Sequence, residues 1–194
     1  MMKTPRLHRL TTASCTAAVL LGLAACVQAT APSAAGGDSS ASLPTGGSVD
    51  AAAMLAAHNS WRAKYGVPPL QWSAKLADVA QHWADHLAST SCTPGHSGNQ
   101  YGENVYWGSP VQWSNGRSEV SPTSAQTVVD SWGNEVEYYD YSDNSCHATC
   151  GHYTQVVWKD TKEVGCGMAV CGNKGQIWIC SYDPPGNAVG KKPY

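Results

Sequence analysis

Apolar and aromatic positions along this chain follow two different periods. They first recur at intervals of three and four residues, the spacing of one helix face, at Met54, His58, Trp61 and Tyr65. Gly66 follows this stripe, so we predict that the first helix ends there. Later runs, rich in β-branched and aromatic residues and separated by Gly, Asn or Lys, predict strands. These runs read HYTQVVW, VGCGMAVC and GQIWICSY and begin at positions 152, 164 and 175.

Two further helices are predicted between these regions. The second begins at the N-cap residue Ser73, and its apolar face holds Leu76, Val79, Ala80, Trp83 and Leu87. The third begins within the capping-box sequence TSAQ at 123–126, and its inward stripe holds Val128, Trp132, Glu135 and Tyr139. The segment 92–121 is rich in Gly, Ser, Asn and Pro and is predicted as a long loop. Helices first and strands last predict an α+β domain with helices packed on an antiparallel sheet.

The first residues have the pattern of an export signal. Three basic residues precede an apolar run, from about 13 to 25, that is too short for a typical membrane-spanning helix. The run ends in the sequence LAAC, which looks like the lipobox of bacterial lipoproteins. In such proteins the cysteine, here Cys26, is lipidated and becomes the first residue of the mature chain. Ordinary signal cleavage slightly later, after Ala29, is the alternative.

The residues after Cys26 indicate a tether. Residues 27–49 are mostly Ala, Ser, Gly, Pro and Thr with one charge, a composition that cannot bury a core and favours a flexible linker. The expected organisation is a signal peptide over 1–25, a linker over 26–49 and a domain over 50–194. We therefore expect an exported protein, either a bacterial outer-membrane lipoprotein or a periplasmic or extracellular protein. Val27 is not the Asp that retains such lipoproteins at the inner membrane, which favours the outer membrane.

The charge of the mature chain limits the classes of molecule that it can bind. From Cys26 onward, 9 Lys and Arg stand against 14 Asp and Glu, a net charge of −5, and no basic block occurs. Nucleic-acid binding and attraction to anionic membranes are therefore not expected, and we predict a monomer that contacts a membrane only through its lipid. The chain has eight Trp, nine Tyr and no Phe. Because buried Tyr and Trp need polar partners, this composition favours a domain with a partly polar cleft.

Six cysteines follow Cys26: Cys92, Cys146, Cys150, Cys166, Cys171 and Cys180. An even number in an exported domain predicts three disulfides, and sequence alone allows fifteen pairings. The competing interpretation is a metal site in which Cys146, Cys150 and His152 are ligands. It is disfavoured because free thiols do not persist outside the cytoplasm.

Four short motifs occur in order through the predicted domain. They are HNSWR at 58–62, GENV at 102–105, GHYTQVVW at 151–158 and CSYDPPGN at 180–187. Together they resemble the signatures of the CAP superfamily, whose SCP domain is shared by cysteine-rich secretory proteins, antigen-five allergens and plant pathogenesis-related class 1 proteins. Residues 50–194 look most like the plant branch. Ala188 and the tight spacing of Cys146 and Cys150 depart slightly from its pattern.

The resemblance implies a fold and one disulfide pattern. The fold is a three-layer α-β-α sandwich with a central antiparallel sheet. The implied disulfides are Cys92–Cys171, Cys146–Cys150 and Cys166–Cys180.

The resemblance also implies a cleft lined by two His and two Glu, which here are His96, Glu103, Glu135 and His152. The sequence pattern supports two of them independently. Glu135 lies on the apolar stripe of the third helix and needs a partner there, and His152 begins a predicted strand. We expect His96 and His152 to bind a divalent metal, most suitably zinc, in a weak or incidental site whose Glu residues orient the rings or hold a water. The alternative is a hydrogen-bonded network without metal.

Three functions stay open at this stage. The resemblance implies a non-enzymatic protein that binds sterols, fatty acids or other small lipids, or acts as a secreted effector. The aromatic run 137–141 lies where sterol-binding relatives have a mobile loop. One alternative is a metal-assisted hydrolase that uses the same cleft, and another is a surface scaffold or adhesion protein. Because the chain contains neither G-x-S-x-G nor H-E-x-x-H, we assign no catalytic residue.

The anchor is directly testable. If Cys26 is lipidated, Cys26→Ser should release the protein from membranes, full-length or differently cleaved, because the lipid is its expected membrane contact. Cell fractionation with N-terminal sequencing measures this, and Cys15→Ser is the matched control because no apolar run precedes Cys15. A wild-type protein that is already soluble and begins after Ala29 would contradict the lipoprotein interpretation.

Overall fold

A computed structural model describes residues 48–194, and the predicted signal peptide, Cys26 and nearly all of the predicted linker lie outside this range. The helices are α1 (Ala51–Lys64), α2 (Ala74–Ser89), α3 (Ala125–Gly133) and α4 (Gly151–Val156), with a 3-10 helix at Asn134–Tyr138. The strands are β1 (Gln71–Trp72), β2 (Gly102–Gly108), β3 (Val111–Gln112), β4 (Ser118–Glu119), β5 (Tyr139–Asp140), β6 (Ser145–Cys146), β7 (Glu163–Val170) and β8 (Gln176–Asp183). Within residues 48–194, every helix is too short or too polar to cross a bilayer.

The three helices predicted from periodicity are confirmed, and their caps explain where two of them begin. The third is shorter than predicted, because α3 ends at Gly133 and Tyr139 of its predicted stripe lies in β5. The Asp50 side chain accepts a hydrogen bond from the backbone N–H of Ala53 at 3.0 Å and starts α1. Ser73 stands at the N-cap of α2 without a side-chain cap bond. The cap of α3 is Ser124, whose hydroxyl accepts from the N–H of Thr127 at 3.1 Å. The capping-box sequence predicted this start correctly to within one residue.

A four-stranded sheet in the order β1-β7-β8-β2 forms the middle layer. β7 pairs antiparallel with β8 along its whole length, and β8 pairs antiparallel with β2. Helix α2 covers one face of the sheet, and α1, α3 and α4 pack on the other side. This arrangement confirms the predicted α-β-α sandwich. The expectation of a purely antiparallel sheet is wrong at one edge, because the two-residue strand β1 runs parallel to β7.

The segment 92–121 is not simply a long loop, as its composition predicted. It contains β2, which pairs with β8 over seven residues, from Gly102 opposite Tyr182 to Gly108 opposite Gln176. It also contains the small hairpin β3–β4. Strand β2 escapes a periodicity analysis because glycines stand at both ends and the polar residues Glu103 and Asn104 lie inside it. Its strand conformation comes from the ladder to β8 rather than from an alternating pattern.

The segment after Cys150 is a helix, and its prediction as a strand is wrong. Residues 151–156 form α4, so His152 lies in the first turn of a helix. Four consecutive residues of α4, Tyr153 to Val156, are all buried. Because these four consecutive residues are all buried, the β-branched and aromatic composition of α4 carries no period that separates a strand from a helix.

The two sides of the sheet are filled differently. The larger core, between the sheet and α1, α3 and α4, holds most of the buried aromatic residues: Trp61, Trp132, Tyr153, Trp178 and Tyr182. The smaller core beneath α2 contains mainly Ala, Ile and Leu. Gly165 and Gly167 of β7 lie directly against the main chain of α2, at Ala77 and Gln81, so that a methyl group at either glycine would overlap it.

Three disulfides join the pairs that the family resemblance implies. Cys166 and Cys180 stand opposite each other on β7 and β8. A second disulfide, Cys92–Cys171, links the segment after α2 to the turn between those strands across 79 residues. The third, between Cys146 and Cys150, closes a short loop immediately before α4.

Helix α1 carries two fully buried polar side chains, His58 and Arg62, into the larger core. The guanidinium of Arg62 donates hydrogen bonds to four backbone carbonyls, at distances between 2.7 and 3.1 Å. Those carbonyls belong to Pro68, Val156, Trp158 and Thr161. Burial lowers the pKa of His58 from 6.5 to about 4, although its bond to the Met54 carbonyl opposes that change. His58 is therefore neutral at physiological pH.

The lowered pKa of His58 predicts acid sensitivity. Between pH 6.5 and 4 the unfolded chain binds a proton that the folded protein does not, so the free energy of unfolding should fall as the pH is lowered through this window, by about 3 kcal/mol for this group. Urea unfolding of the wild type and of His58→Gln at several pH values measures it. The variant should show a smaller loss between pH 7 and 4, and equal losses in the two proteins would contradict the assignment.

Candidate functional site

Glu135 and His152 form a close pair beside the larger core. Glu135 lies just beyond α3, in the 3-10 helix, rather than on the third helix where the stripe placed it. Its Oε1 accepts a hydrogen bond from Nδ1 of His152 at 2.6 Å. Its Oε2 accepts hydrogen bonds from the backbone N–H groups of His152 and Tyr153, at 3.0 and 3.3 Å. One carboxylate therefore orients the imidazole and also satisfies two free N–H groups of the first turn of α4.

His96 and Glu103 form a second pair with the same chemistry. Glu103 is the second residue of β2, and its Oε1 accepts from Nδ1 of His96 at 2.8 Å and from the backbone N–H of Ser97 at 3.0 Å. The Ser97 hydroxyl donates to Oε2 at 2.6 Å. The Glu103 side chain is only 6% exposed, whereas that of His96 is 63% exposed. The carboxylate is thus a fixed anchor for an otherwise open loop.

Both histidines use the same ring nitrogen, Nδ1, to contact a carboxylate. In each, Nδ1 faces a carboxylate and so carries the hydrogen, which leaves a lone pair on Nε2 when the ring is neutral. Neither Nε2 has a hydrogen-bond partner within residues 48–194. A carboxylate on one ring nitrogen is the arrangement that orients metal-binding histidines, because it fixes the tautomer and raises the basicity of the other nitrogen.

Three consecutive residues of β2, Glu103 to Val105, connect the surroundings of the two pairs. Glu103 holds His96, and the side chain of Asn104 donates to the carbonyl of His152 at 3.1 Å. The carbonyl of Val105 accepts the indole N–H of Trp132, whose ring stacks on the imidazole of His152 with centroids 6.4 Å apart. The described part of the chain contains no group of three or more His, Cys, Asp or Glu side chains close enough to hold a metal. The four expected site residues are therefore arranged as two His–Glu pairs joined by β2.

The aromatic run 137–141 is held in place by neighbouring residues. Strand β5, within this run, pairs with β6, and the Tyr139 hydroxyl donates to the Asn144 side chain at 2.8 Å. Tyr141 donates to the backbone carbonyl of Tyr194 at 2.7 Å and stacks on its ring. A groove of about 280 Å³ lies beside this hairpin, and its walls include Tyr139, Cys146, Trp158 and Val189.

Asn104, Ser97 and Trp132 each contact one of the two pairs and are absent from the set of site residues predicted from the sequence. A signal existed for two of them, because Asn104 lies inside the GENV motif and Ser97 directly follows His96. Trp132 was predicted only as part of a buried stripe, and its contact with His152 depends on where α3 ends relative to α4. The Cys146–Cys150 disulfide leaves no thiols for the alternative metal site that included His152.

Comparison with known proteins identifies the family. The profile described as the cysteine-rich secretory protein family, CAP, matches residues 55–182. The chain belongs to the CAP family. It is of the pathogenesis-related class 1 type, because it is 45% identical over 142 residues to pathogenesis-related protein 1C of Nicotiana tabacum, an alignment that covers 72% of this chain and 78% of that protein.

Further relatives agree with this assignment. Pathogenesis-related protein PRMS of Zea mays is 44% identical over 144 residues, covering 72% of this chain and 80% of that protein. The venom allergen-like protein 4 of Schistosoma mansoni, a solved structure, is 26% identical and superposes with a TM-score of 0.55. That superposition covers 74% of this chain and 92% of the worm protein. The CAP fold predicted from the four motifs is therefore confirmed by sequence and by structure.

The Glu135 carboxylate should be important for stability as well as for orientation. Glu135→Ala removes the acceptor of three hydrogen bonds and should lower the free energy of unfolding by about 2 kcal/mol. Glu137→Ala is the matched control, since Glu137 is exposed on the same 3-10 helix and should change stability by less than about 0.5 kcal/mol. Urea unfolding measures both variants, and equal effects would show that the bonds to α4 contribute little.

Proposed function

We propose that this CAP protein is an exported, non-enzymatic binding protein whose His96 and His152 hold a divalent metal ion, most suitably zinc. The observation that carries the proposal is the shared geometry of the two His–Glu pairs. Each ring is oriented through Nδ1 by a carboxylate, at 2.8 Å for His96 and 2.6 Å for His152, and each keeps Nε2 for a ligand. Imidazole nitrogens oriented in this way are ligands that zinc accepts.

Such a site is open to solvent. The side chain of His96 is 63% exposed and that of His152 is 26% exposed, so water would complete the coordination of a metal held by two protein ligands. Few ligands and high exposure favour weak, reversible binding over a permanent structural metal. Metal is not needed to orient either ring, because each imidazole already has a carboxylate partner.

The hydrogen bonds of the two carboxylates support binding rather than hydrolysis. A metal-assisted hydrolase needs a carboxylate that can take a proton from a metal-bound water. Glu103 already accepts three hydrogen bonds, from His96 and from the N–H and hydroxyl of Ser97. Glu135 likewise accepts three, so most lone-pair positions of both carboxylates are already occupied by donors. In the hydrolase alternative, Glu103 would be the base, and Glu103→Gln would abolish hydrolysis of peptides or esters.

Small-lipid binding is a second candidate, favoured by the groove beside the β5–β6 hairpin. Its walls combine aromatic and aliphatic surface from Tyr139, Trp158 and Val189. Val189 is fully exposed, and Tyr141 of the same hairpin and Tyr138 just before it are each more than two-fifths exposed. This surface suits one end of a sterol or fatty acid, and the remainder of the ligand would lie against the exposed tyrosines.

Export is supported by the disulfides and by the family. Three disulfides within 147 described residues persist in an oxidising compartment. The matching family is described as one of secretory proteins. Attachment to an outer membrane through Cys26 remains the prediction made from the lipobox.

Calorimetric titration of the purified mature protein with zinc tests the proposed function. We expect micromolar or weaker binding by the wild type, lost in the double variant His96→Ala, His152→Ala, because both ligands are removed. The matched control is His82→Ala, His86→Ala, which removes two exposed histidines of α2 and should leave the binding unchanged.

Three outcomes separate the alternatives. No zinc binding by the wild type, together with a lower melting temperature of the His96, His152 double variant, would favour a purely structural network. Binding that survives in this variant and is lost in the α2 variant would place the metal elsewhere. Native mass spectrometry of protein from its own host shows whether zinc or a lipid copurifies, and a lipid without zinc would favour the second candidate.

A further inference from the structure

One residue from each of the four signature motifs contributes to a single chain of hydrogen bonds. Nε2 of His58 lies 2.8 Å from the Tyr182 hydroxyl, and the amide of Asn104 donates to that same hydroxyl at 3.2 Å. The amide also donates to the backbone carbonyl of His152 at 3.1 Å. The side chains of His58, Asn104 and Tyr182 are at most 1% exposed. This series of hydrogen bonds therefore runs through the larger core and ends on a residue of the proposed metal site.

The direction of each hydrogen bond follows from its first partner. Nδ1 of His58 lies 2.7 Å from the Met54 carbonyl, which can only accept, so Nδ1 carries the hydrogen. The ring is neutral, because burial lowers its pKa to about 4, and Nε2 is then an acceptor. The Tyr182 hydroxyl must therefore donate to His58, and its oxygen is left to accept from Asn104.

The hydrogen bond at the His152 end of the series requires the same donor and acceptor directions. The carbonyl of His152 accepts only, so the amino group of Asn104, and not its oxygen, faces it. The second N–H of this amino group meets the Tyr182 oxygen, which accepts because its own hydrogen is used at His58. A reversed amide would set two oxygens against each other at His152. The Asn104 side chain thus has one permitted orientation.

We infer that Asn104 is a positioning residue for the metal ligand His152. Glu135 holds the backbone N–H and the ring of His152, and Asn104 holds its carbonyl, so His152 is fixed at three points. Tyr182 accepts the second N–H of the Asn104 amino group and donates to His58, so these two residues complete the hydrogen bonding of the amide, whereas the carbonyl of His152 alone is enough to set its orientation. Adjacent residues of β2 then orient both metal ligands, Glu103 for His96 and Asn104 for His152. The consequence for metal affinity rests on the proposed function, whereas the fixing of His152 does not.

Two variants separate positioning from general stabilisation. Asn104→Ala removes the bond to His152, whereas Tyr182→Phe removes the hydroxyl and leaves that bond in place. Both should lower stability, since each leaves buried polar groups without a partner. Only Asn104→Ala should weaken zinc binding strongly, by about 10- to 100-fold, the usual effect of losing a residue that orients a metal ligand. Tyr182→Phe should change the zinc affinity by less than about threefold. If Asn104→Ala does not fold, Asn104→Ser, with a shorter side chain, is expected to change affinity in the same direction.

A second measurement needs no metal. In zinc-free wild type and in Tyr182→Phe, ¹⁵N NMR of the His152 imidazole should report a single Nδ1–H tautomer, and in Asn104→Ala it should report exchange between tautomers. If the wild type binds no zinc, the proposed function fails while the NMR comparison still tests the inference. Unchanged His152 signals in Asn104→Ala would overturn it. Equal losses of zinc affinity in Asn104→Ala and Tyr182→Phe would also overturn it, because they would indicate loosening of the core instead of positioning.

Discussion

A buried guanidinium with carbonyl groups as its partners constrains most of this fold. Arg62 bonds the segment that leads into β1, the end of α4 and the turn that leads into β7, all from one position on α1. Burial lowers the pKa of Arg62 to about 10, so it stays charged at neutral pH. A buried charge that lost these partners would be strongly destabilising. The four carbonyls must therefore stay in place, which fixes the end of α4 while Glu135 fixes its beginning.

An element of this fold is predictable from the sequence only where the pattern of its own residues is visible. Helices α1, α2 and α3 each have one buried and one exposed face, so their period is visible in the sequence. Strands β7 and β8 are short, β-branched and bounded by turns, and were also predicted. Neither α4 nor β2 has such a pattern. Four consecutive residues of α4 are buried, and β2 carries the polar residues Glu103 and Asn104, which contact His96 and His152. Their conformations come from contacts with distant residues.

In the candidate site, too, some features are visible in the sequence and others depend on contacts between distant residues. Family motifs identified His96, Glu103, Glu135 and His152, and the inward position of Glu135 correctly indicated that its carboxylate needs a partner. Which glutamate pairs with which histidine was not predictable, because it depends on the end of α3 and on the register of β2 against β8. The role of Asn104 depends on that same register, which places it opposite Cys180 and within reach of Tyr182. A motif identifies the residues, but only the packed sheet determines their partners.

The glycines of β7 make the sandwich unequal in thickness. Where Gly165 and Gly167 meet α2, main chain touches main chain, and the layer between them needs little side-chain volume. The bulky aromatic residues are therefore concentrated on the opposite side, where a chain without phenylalanine fills its core with Tyr and Trp. Each of these rings brings a hydroxyl or an indole N–H that must find a partner. The larger core therefore contains polar atoms throughout its interior. A larger residue at either glycine would push α2 away from the sheet and would affect the larger core only indirectly.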